Sequence, residues 1–502
     1  MTEDLAPLPD HSKSYKVMVS SFKYPEKEFF SSYQALSVDK KQHILLESGQ
    51  RGRYSIAGLV PFAVMKGKNN NLLIETREGN IRKSGEPLEE MKKWLRPYKT
   101  ESNPNLPDFQ GGILGFVSYD YIRYVEELPL DTSDDLSTDD LYFLAFQQVF
   151  IYDHHNKKLW IIVHYAKGEE AKAKADIERL KALWQYPPYF SWGRYLEQYD
   201  FLSSANRTRC LDSSFSERTF AQAVKKVQEY IRSGDVFQVN LSVRQAKKLL
   251  TPPFHIYEKL RELNPSPYMG YMHTPDFQLV SGSPELLVKK RGDEASTRPI
   301  AGTRPRGETA EQDEGYEQEL IATEKERAEH VMLVDLERND LGKVCKYGTV
   351  SVDELMVIER YSHVMHIVSN VKGKLADDVD EYDMIKAAFP GGTITGAPKI
   401  RTMEIIEELE RVRRGVYTGS IGWIGFNGDM ELNIAIRTMI AKDGMAYVQA
   451  GAGIVIDSSP EAEYQESLKK ARALWKAQEI SEEEMAVKQS RAEEEKVYDF
   501  ND

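Results

Sequence analysis

The chain has 502 residues, 41% of them hydrophobic, and a formal net charge of -13. That length exceeds what one small core needs, so two or three domains, or one large domain with an accessory one, are expected. The acidic balance disfavours nonspecific nucleic-acid binding, and two cysteines, Cys210 and Cys345, exclude a disulfide framework or a cysteine zinc cluster and fit a reducing cytoplasm.

Residues 15–184 read as a strand-rich N-terminal region. Short apolar runs at 44–47, 111–119, 141–152 and 159–165 predict strands, separated by turn residues such as Asn69-Asn70 and His154-His155. A helix is expected over 169–184. The stretch 185–214 loses periodicity, carries Pro187-Pro188 and reads as a linker. Helix and strand then alternate over 215–477, and the charged tail over 481–502 reads as solvated helix or disorder. The first residues lack a basic stretch followed by an apolar run, so no signal peptide is expected there, and no apolar run reaches the ~20 residues that span a bilayer, so no membrane partner is expected.

Several motifs fail on inspection. Gly391-x4-Gly396 is followed by Ala397-Pro398 rather than the lysine of a phosphate loop. Gly451-Ala452-Gly453 lacks the third glycine of a dinucleotide fingerprint. His363 and His366 lack a neighbouring zincin glutamate, which favours packing or hydrogen bonding over zinc. Neither cysteine sits in a nucleophile elbow, so the usual centre for freeing ammonia from glutamine is missing.

Carboxylates stand where helices should be apolar. Residues 318–341 read as one helix, with Glu329 on the stripe of Met332, Leu333 and Leu336. An acid there is costly unless something pairs with it; a boundary salt bridge is the plain alternative to a ligand role. A second helix starts after Ser459-Pro460. Its core face is Tyr464, Leu468, Ala471 and Trp475, while Glu463 and Glu466 share another direction. Two carboxylate-bearing helices suggest magnesium held by oxygen ligands, against a merely solvated acidic face.

Residues 431–441 alternate as one strand, and Asp443-Gly444 signals a two-residue hairpin turn. That register sets Arg437 opposite Ala450, beside Gly451-Ala452-Gly453, as a carboxylate clamp or a cross-strand ion pair. The glycine-rich loop 389–398 leads into a helix over 399–409 and offers backbone N–H groups to an anion. Lys399, in the first turn, opposes the helix dipole and so has another task. Together these features suggest a small dianionic substrate with magnesium.

The run Arg298-Pro-Ile-Ala-Gly-Thr-Arg-Pro-Arg-Gly307 resembles a signature of the chorismate-utilising enzymes. Ser283-Pro-Glu-Leu-Leu287, the segments 326–341, 361–366 and 391–399, and Gln449-Ala-Gly-Ala-Gly453 extend the match over roughly residues 215–475, with a weaker one before it. The resemblance implies an α/β (α+β) fold, a large antiparallel β-sandwich with helices packed outside. It implies that Glu329 and Glu466 ligate Mg2+, with Glu463 a nearby acid. Tyr417, Arg437, Gly451, Ala452 and Gly453 match contacts to the enolpyruvyl carboxylate of chorismate, and Gly302 and Thr303 line the site; Lys399 is grouped with these substrate-binding residues. Glu285, His366 and Thr393 match the surroundings of the departing 4-hydroxyl, where a glutamic acid needs a raised pKa to act as general acid. Ser48, Pro267, Tyr268 and Met269 resemble the family's tryptophan pocket.

Within the family, isochorismate-type members carry a water-activating lysine where this chain has Gln238, which leaves ammonia as the nucleophile. Ala301 replaces a lysine found in many aminodeoxychorismate synthases, which by itself favours anthranilate synthase. A subset with alanine there is nevertheless similar in Gln238-Val-Asn-Leu-Ser242, in Phe389–Gly396 and in Gly419–Trp423. The implied reaction is amination of chorismate at C4. Ammonia would come from a partner glutamine amidotransferase subunit, and a downstream aminodeoxychorismate lyase would take the product. The alternative is anthranilate formation at C2.

Overall fold

The computed structural model describes residues 4–10, 12–49, 52–196, 211–361 and 364–499. His363 and Cys210 lie outside them. The described strands form two large, mostly antiparallel sheets. The first joins Tyr15–Lys23, Lys158–Ala166, Gln148–Asp153, Tyr54–Gly58 and His43–Glu47 to Tyr268–His273, Gln278–Ser283, Thr438–Lys442, Met445–Ile454 and Gln238–Lys248. The second runs from Ile300–Pro305 through Val364–Lys374, Glu294–Arg298, Leu286–Arg291, Met430–Ile434 and Ser420–Gly425 to the N-terminal strands that begin with Gly112–Val117. Both sheets draw strands from 15–184 and from 215–477, and the stretch expected as a linker itself supplies the helix Trp192–Leu196 and the strand Leu211–Ser213, which pairs with Gln238–Lys248 in the first sheet.

Ile44, Ile56 and Ile440 of the first sheet meet Leu114, Phe116, Leu144 and Ile421 of the second in the sandwich interior. Helices close both outer faces. Glu26–Ser37, Glu170–Gln185, Pro253–Leu263 and Pro460–Asp499 cover the first sheet. Pro87–Leu95 and Glu381–Ala388 pack on the second. With both faces of each sheet covered, the strands are apolar on both sides, and this defeats a period-two reading. The run 141–152 is two strands, Leu141–Phe146 and Gln148–Asp153, one in each sheet. The run 431–441 likewise splits into Met430–Ile434 and Thr438–Lys442, which also lie in different sheets.

Three helices bear on the site: α1, Glu324–Gly342; α2, Lys399–Leu409; and α3, Pro460–Asp499. The single helix expected over 318–341 is broken at Thr323, whose ψ of 107° ends Ala310–Ala322 and starts α1. The inner face of α1 is His330, Leu333, Val334, Glu337, Asp340 and Leu341, so Glu329 flanks the stripe and does not head it. The tail is helical from its start. Ser481 and Met485 are buried, and Ser481 Oγ meets His255 Nδ1 at 2.8 Å, so its first turns are packed, not solvated.

Candidate active site

Arg437 sits where the chain crosses from one sheet to the other. Its φ is 51°, a left-handed turn at the corner of the sandwich. Met439 pairs with Val448, and extending that register by two residues sets Arg437 across from Ala450, as the hairpin turn at Asp443-Gly444 requires. No hydrogen bond or ion pair reaches its guanidinium from any described residue. Burial holds this cation below its ordinary pKa, while Tyr417 and then Glu466 act the other way. A part-buried guanidinium with no acid bonded to it is suited to an anion.

The neighbouring glycines let the strand Gln238–Lys248 lie close. A Cβ at Gly453 would come within 2.2 Å of the Gln238 amide nitrogen, and one at Gly451 within 2.7 Å of Asn240 Oδ1. Gly451 also offers its carbonyl to Lys470 Nζ at 3.0 Å, and Lys470 pairs with Glu466 at 2.8 Å. Sequence reasoning missed Lys470. The available signal was its spacing, one turn beyond Glu466 on the same face of α3.

Glu329 on α1 and Glu463 on α3 are both raised above the ordinary carboxylate range. Burial is the main cause for each; Glu326 adds to it at Glu329 and Glu466 adds to it at Glu463. Lys325 and Lys470 act on both in the opposite sense, so the two carboxylates share the same cationic neighbours. Gln238 Nε2 reaches Glu329 Oε1 at 3.4 Å. Among the described residues, no three histidine, cysteine, aspartate or glutamate side chains form a ready metal cage. One or two carboxylates still fit magnesium, which completes its shell from water and substrate.

The opposite end is built by sheets. Glu285 lies between the strands Gln278–Ser283 and Leu286–Arg291 and is 6% exposed. Burial pushes its carboxyl up to about 7, against the Thr393 hydroxyl, the Ile300 backbone N–H and Lys470. Glu285 Oε1 and Thr393 Oγ1 are both buried, yet neither makes a good hydrogen bond, so Thr393 faces the carboxyl from just outside bonding geometry. His366 Nδ1 donates to Gly302 O at 2.9 Å and lies 3.2 Å from Thr303 Oγ1. The ring therefore presents Nε2 as an acceptor. Burial lowers its pKa, so the neutral ring is favoured. Gly302 has φ 60°, and a Cβ there would strike Leu320 and Glu326, so glycine is what allows its carbonyl to face His366.

Two expectations change. Lys399 does not reach for substrate: its ammonium is 2.5 Å from Asp340 Oδ2 on α1 and also faces Ala388 O. That ion pair is the task its place in the helix demanded. The loop before it is not an open anion cradle either. Ile394 and Thr395 N–H turn back onto Gly391 and Gly392 carbonyls, and Gly396–Ala397 pair with Val239 and Gln238. The loop contributes the Thr393 hydroxyl instead.

Ser48, Pro267, Tyr268 and Met269 come together in a cleft with Glu47, Tyr54 and Trp423. Asn433, which also lines this cleft, pairs with Leu286 next to Glu285.

A family model described as chorismate binding enzyme matches residues 41–476. This chain belongs to that family. It is 52% identical over 465 residues to aminodeoxychorismate synthase component 1 of Bacillus subtilis (strain 168), covering 93% of this chain and 97% of that protein. Anthranilate synthase component 1 of Acetivibrio thermocellus is 45% identical over 440 residues, covering 86% and 89%. The crystal structure of anthranilate synthase component I from Streptococcus pneumoniae TIGR4 superposes with a TM-score of 0.73 at 36% identity, over 85% of this chain and 93% of that one. No helix among the described residues is long and apolar enough to cross a membrane.

Proposed function

We propose that this chain aminates chorismate at C4, as component 1 of an aminodeoxychorismate synthase. The observation that carries the reading is the presence of two groups in the site: a part-buried guanidinium with no bonded acid, Arg437, and a carboxyl that burial pushes up to about 7, Glu285. Arg437, Tyr417 and Lys470 take the enolpyruvyl carboxylate. Glu329, Glu463 and Glu466 would hold magnesium, which neutralises the ring carboxylate when bound. Glu285 gives its proton to the 4-hydroxyl as the C4–O bond breaks, and that oxygen leaves as water. Thr393 and the His366 Nε2 acceptor line the same place. Gln238 offers no base to activate water, so neutral ammonia forms the new C–N bond and then sheds a proton. A partner glutaminase in the cytoplasm supplies that ammonia, and a separate lyase removes pyruvate from the product.

Ala301, buried in Ile300–Pro305, is what favours anthranilate synthase as a second reading. Incubation with chorismate, magnesium and an ammonium salt separates the two. The expected product is non-fluorescent and keeps its enolpyruvyl group until lyase is added. Fluorescent anthranilate with free pyruvate, in the absence of lyase, overturns C4 amination.

A further inference from the structure

Chorismate is drawn by charge, but neutral ammonia is held only by hydrogen bonds: it offers N–H donors and must keep its lone pair free for carbon. Gln238, Asn240 and Ser242 alternate onto one face of the strand Gln238–Lys248. Val239, Leu241 and Val243 pack on its other face with Phe220 and Val224. Asn240 stands across from Gly453, so no cross-strand side chain covers it.

Asn240 is 8% exposed. Its Nδ2 faces Thr393 O at 3.5 Å, and because a carbonyl only accepts, the amide oxygen is the end turned away. That Oδ1 and the Thr393 hydroxyl oxygen are both shielded from solvent, and neither has a hydrogen-bond partner among the described residues. Leaving a buried acceptor without a donor is destabilising. Two such oxygens, on residues that meet each other, suit a small donor.

The backbone beneath both is locked. Asn240 N–H donates to Thr395 O at 2.9 Å. The Arg414 guanidinium, 2% exposed, donates from Nη2 to Asn240 O at 2.7 Å and from Nη1 to Ile394 O at 2.9 Å. Glu410 grips that guanidinium, with Oε1 2.8 Å from Nη2 and Oε2 3.1 Å from Nε, and also accepts from Ser242 N and Oγ. A buried ion pair is tolerated where its hydrogen bonds are made. Here those bonds fix the two backbone segments that carry the unbonded oxygens. The same guanidinium lies 5.6 Å from the centre of the Tyr417 ring, so this anchor borders the candidate site.

We propose that Asn240 Oδ1 and Thr393 Oγ1 seat the ammonia nucleophile, and that the Arg414–Glu410 pair fixes their spacing. The proposal rests on the reading of the site as one that aminates chorismate. Each oxygen accepts one N–H, which leaves the ammonia lone pair free, and neither side chain gains or loses a proton. A carboxamide oxygen is no base, so water in the same seat is not activated.

Ammonium salt without a glutaminase is the probe. With chorismate and magnesium saturating, Asn240→Ala should raise the KM for ammonia roughly three- to tenfold, as expected for one lost hydrogen bond. Chorismate affinity, read by equilibrium titration without ammonium, and thermal unfolding should stay near wild type. Thr393→Val, which removes the second acceptor at nearly constant volume, should raise the KM for ammonia in the same direction, and it decides alone if the alanine variant does not fold. A residue that only held the frame would shift both substrates together. An unchanged KM for ammonia in either variant, or chorismate affinity falling in step with it in Asn240→Ala, would overturn the seat. If the wild type makes no aminated product from ammonium, the reading of the site fails; if it does and Asn240→Ala needs no more ammonia, the seat alone fails.

Discussion

Two parts of the candidate site treat the same side chain in opposite ways. At the sheet-built end, Glu285 is locked into a dry corner and behaves as a weak acid. At the helix-built end, Glu329 on α1 feels Glu326, and Glu463 on α3 feels Glu466, which is 52% exposed and paired with Lys470. Removal from water makes a proton donor, whereas like charges gathered at a mouth make a seat for a cation. Backbone architecture decides which: strands hold one carboxyl alone, while successive helical turns bring several to one side.

Substitutions that respect this division should have separable effects. The largest is expected at the helix end, where Glu329→Gln or Glu466→Gln should abolish magnesium-dependent turnover while thermal unfolding stays unchanged. Full activity in either variant removes it from the ligand set. At the sheet end, Glu285→Gln should cut kcat by about 10²–10⁴-fold, leaving chorismate affinity and the magnesium midpoint near wild type. A shifted magnesium midpoint would blur the contrast between the ends. Arg437→Gln should weaken chorismate binding by roughly 10–100-fold, the worth of a charge-assisted hydrogen bond, as read by equilibrium titration.

The smallest effect is on stability. Glu337 has its carboxyl raised, mainly by burial, in the folded protein, so the fold binds a proton that the unfolded chain releases near pH 4.5. Stability from this group is therefore full below that pH and is lost as pH rises towards about 8. Glu337→Gln should unfold at a higher temperature than wild type at pH 9 and lose that advantage at pH 5. An equal offset at both pH values would mean that Glu337 is ionised throughout.

The fold class was legible because short motifs carry it. The register that pairs Met439 with Val448 followed from a two-residue turn alone. The sandwich corners were not legible, because Phe146–Gln148 and Ala435–Arg437 pass between sheets through sequence that stays apolar on both sides. The break at Thr323 has no proline or glycine to announce it; its hydroxyl instead caps back onto Glu319 O at 2.7 Å. Lys399 showed that it had a special task but not which one, since its partner Asp340 lies 59 residues away. Glu337 was hidden for a similar reason: a carboxylate within an apolar stripe has no meaning until Thr297 stands beside it.

The contrast between the ends is tested most directly by the protonation of Glu285. Infrared difference spectra of wild type against Glu285→Gln, taken across pH, should show a protonated carboxyl band that persists at pH 6 and fades around pH 7. A band already gone at pH 5 would mean that this carboxyl is an ordinary anion and that another group protonates the departing hydroxyl.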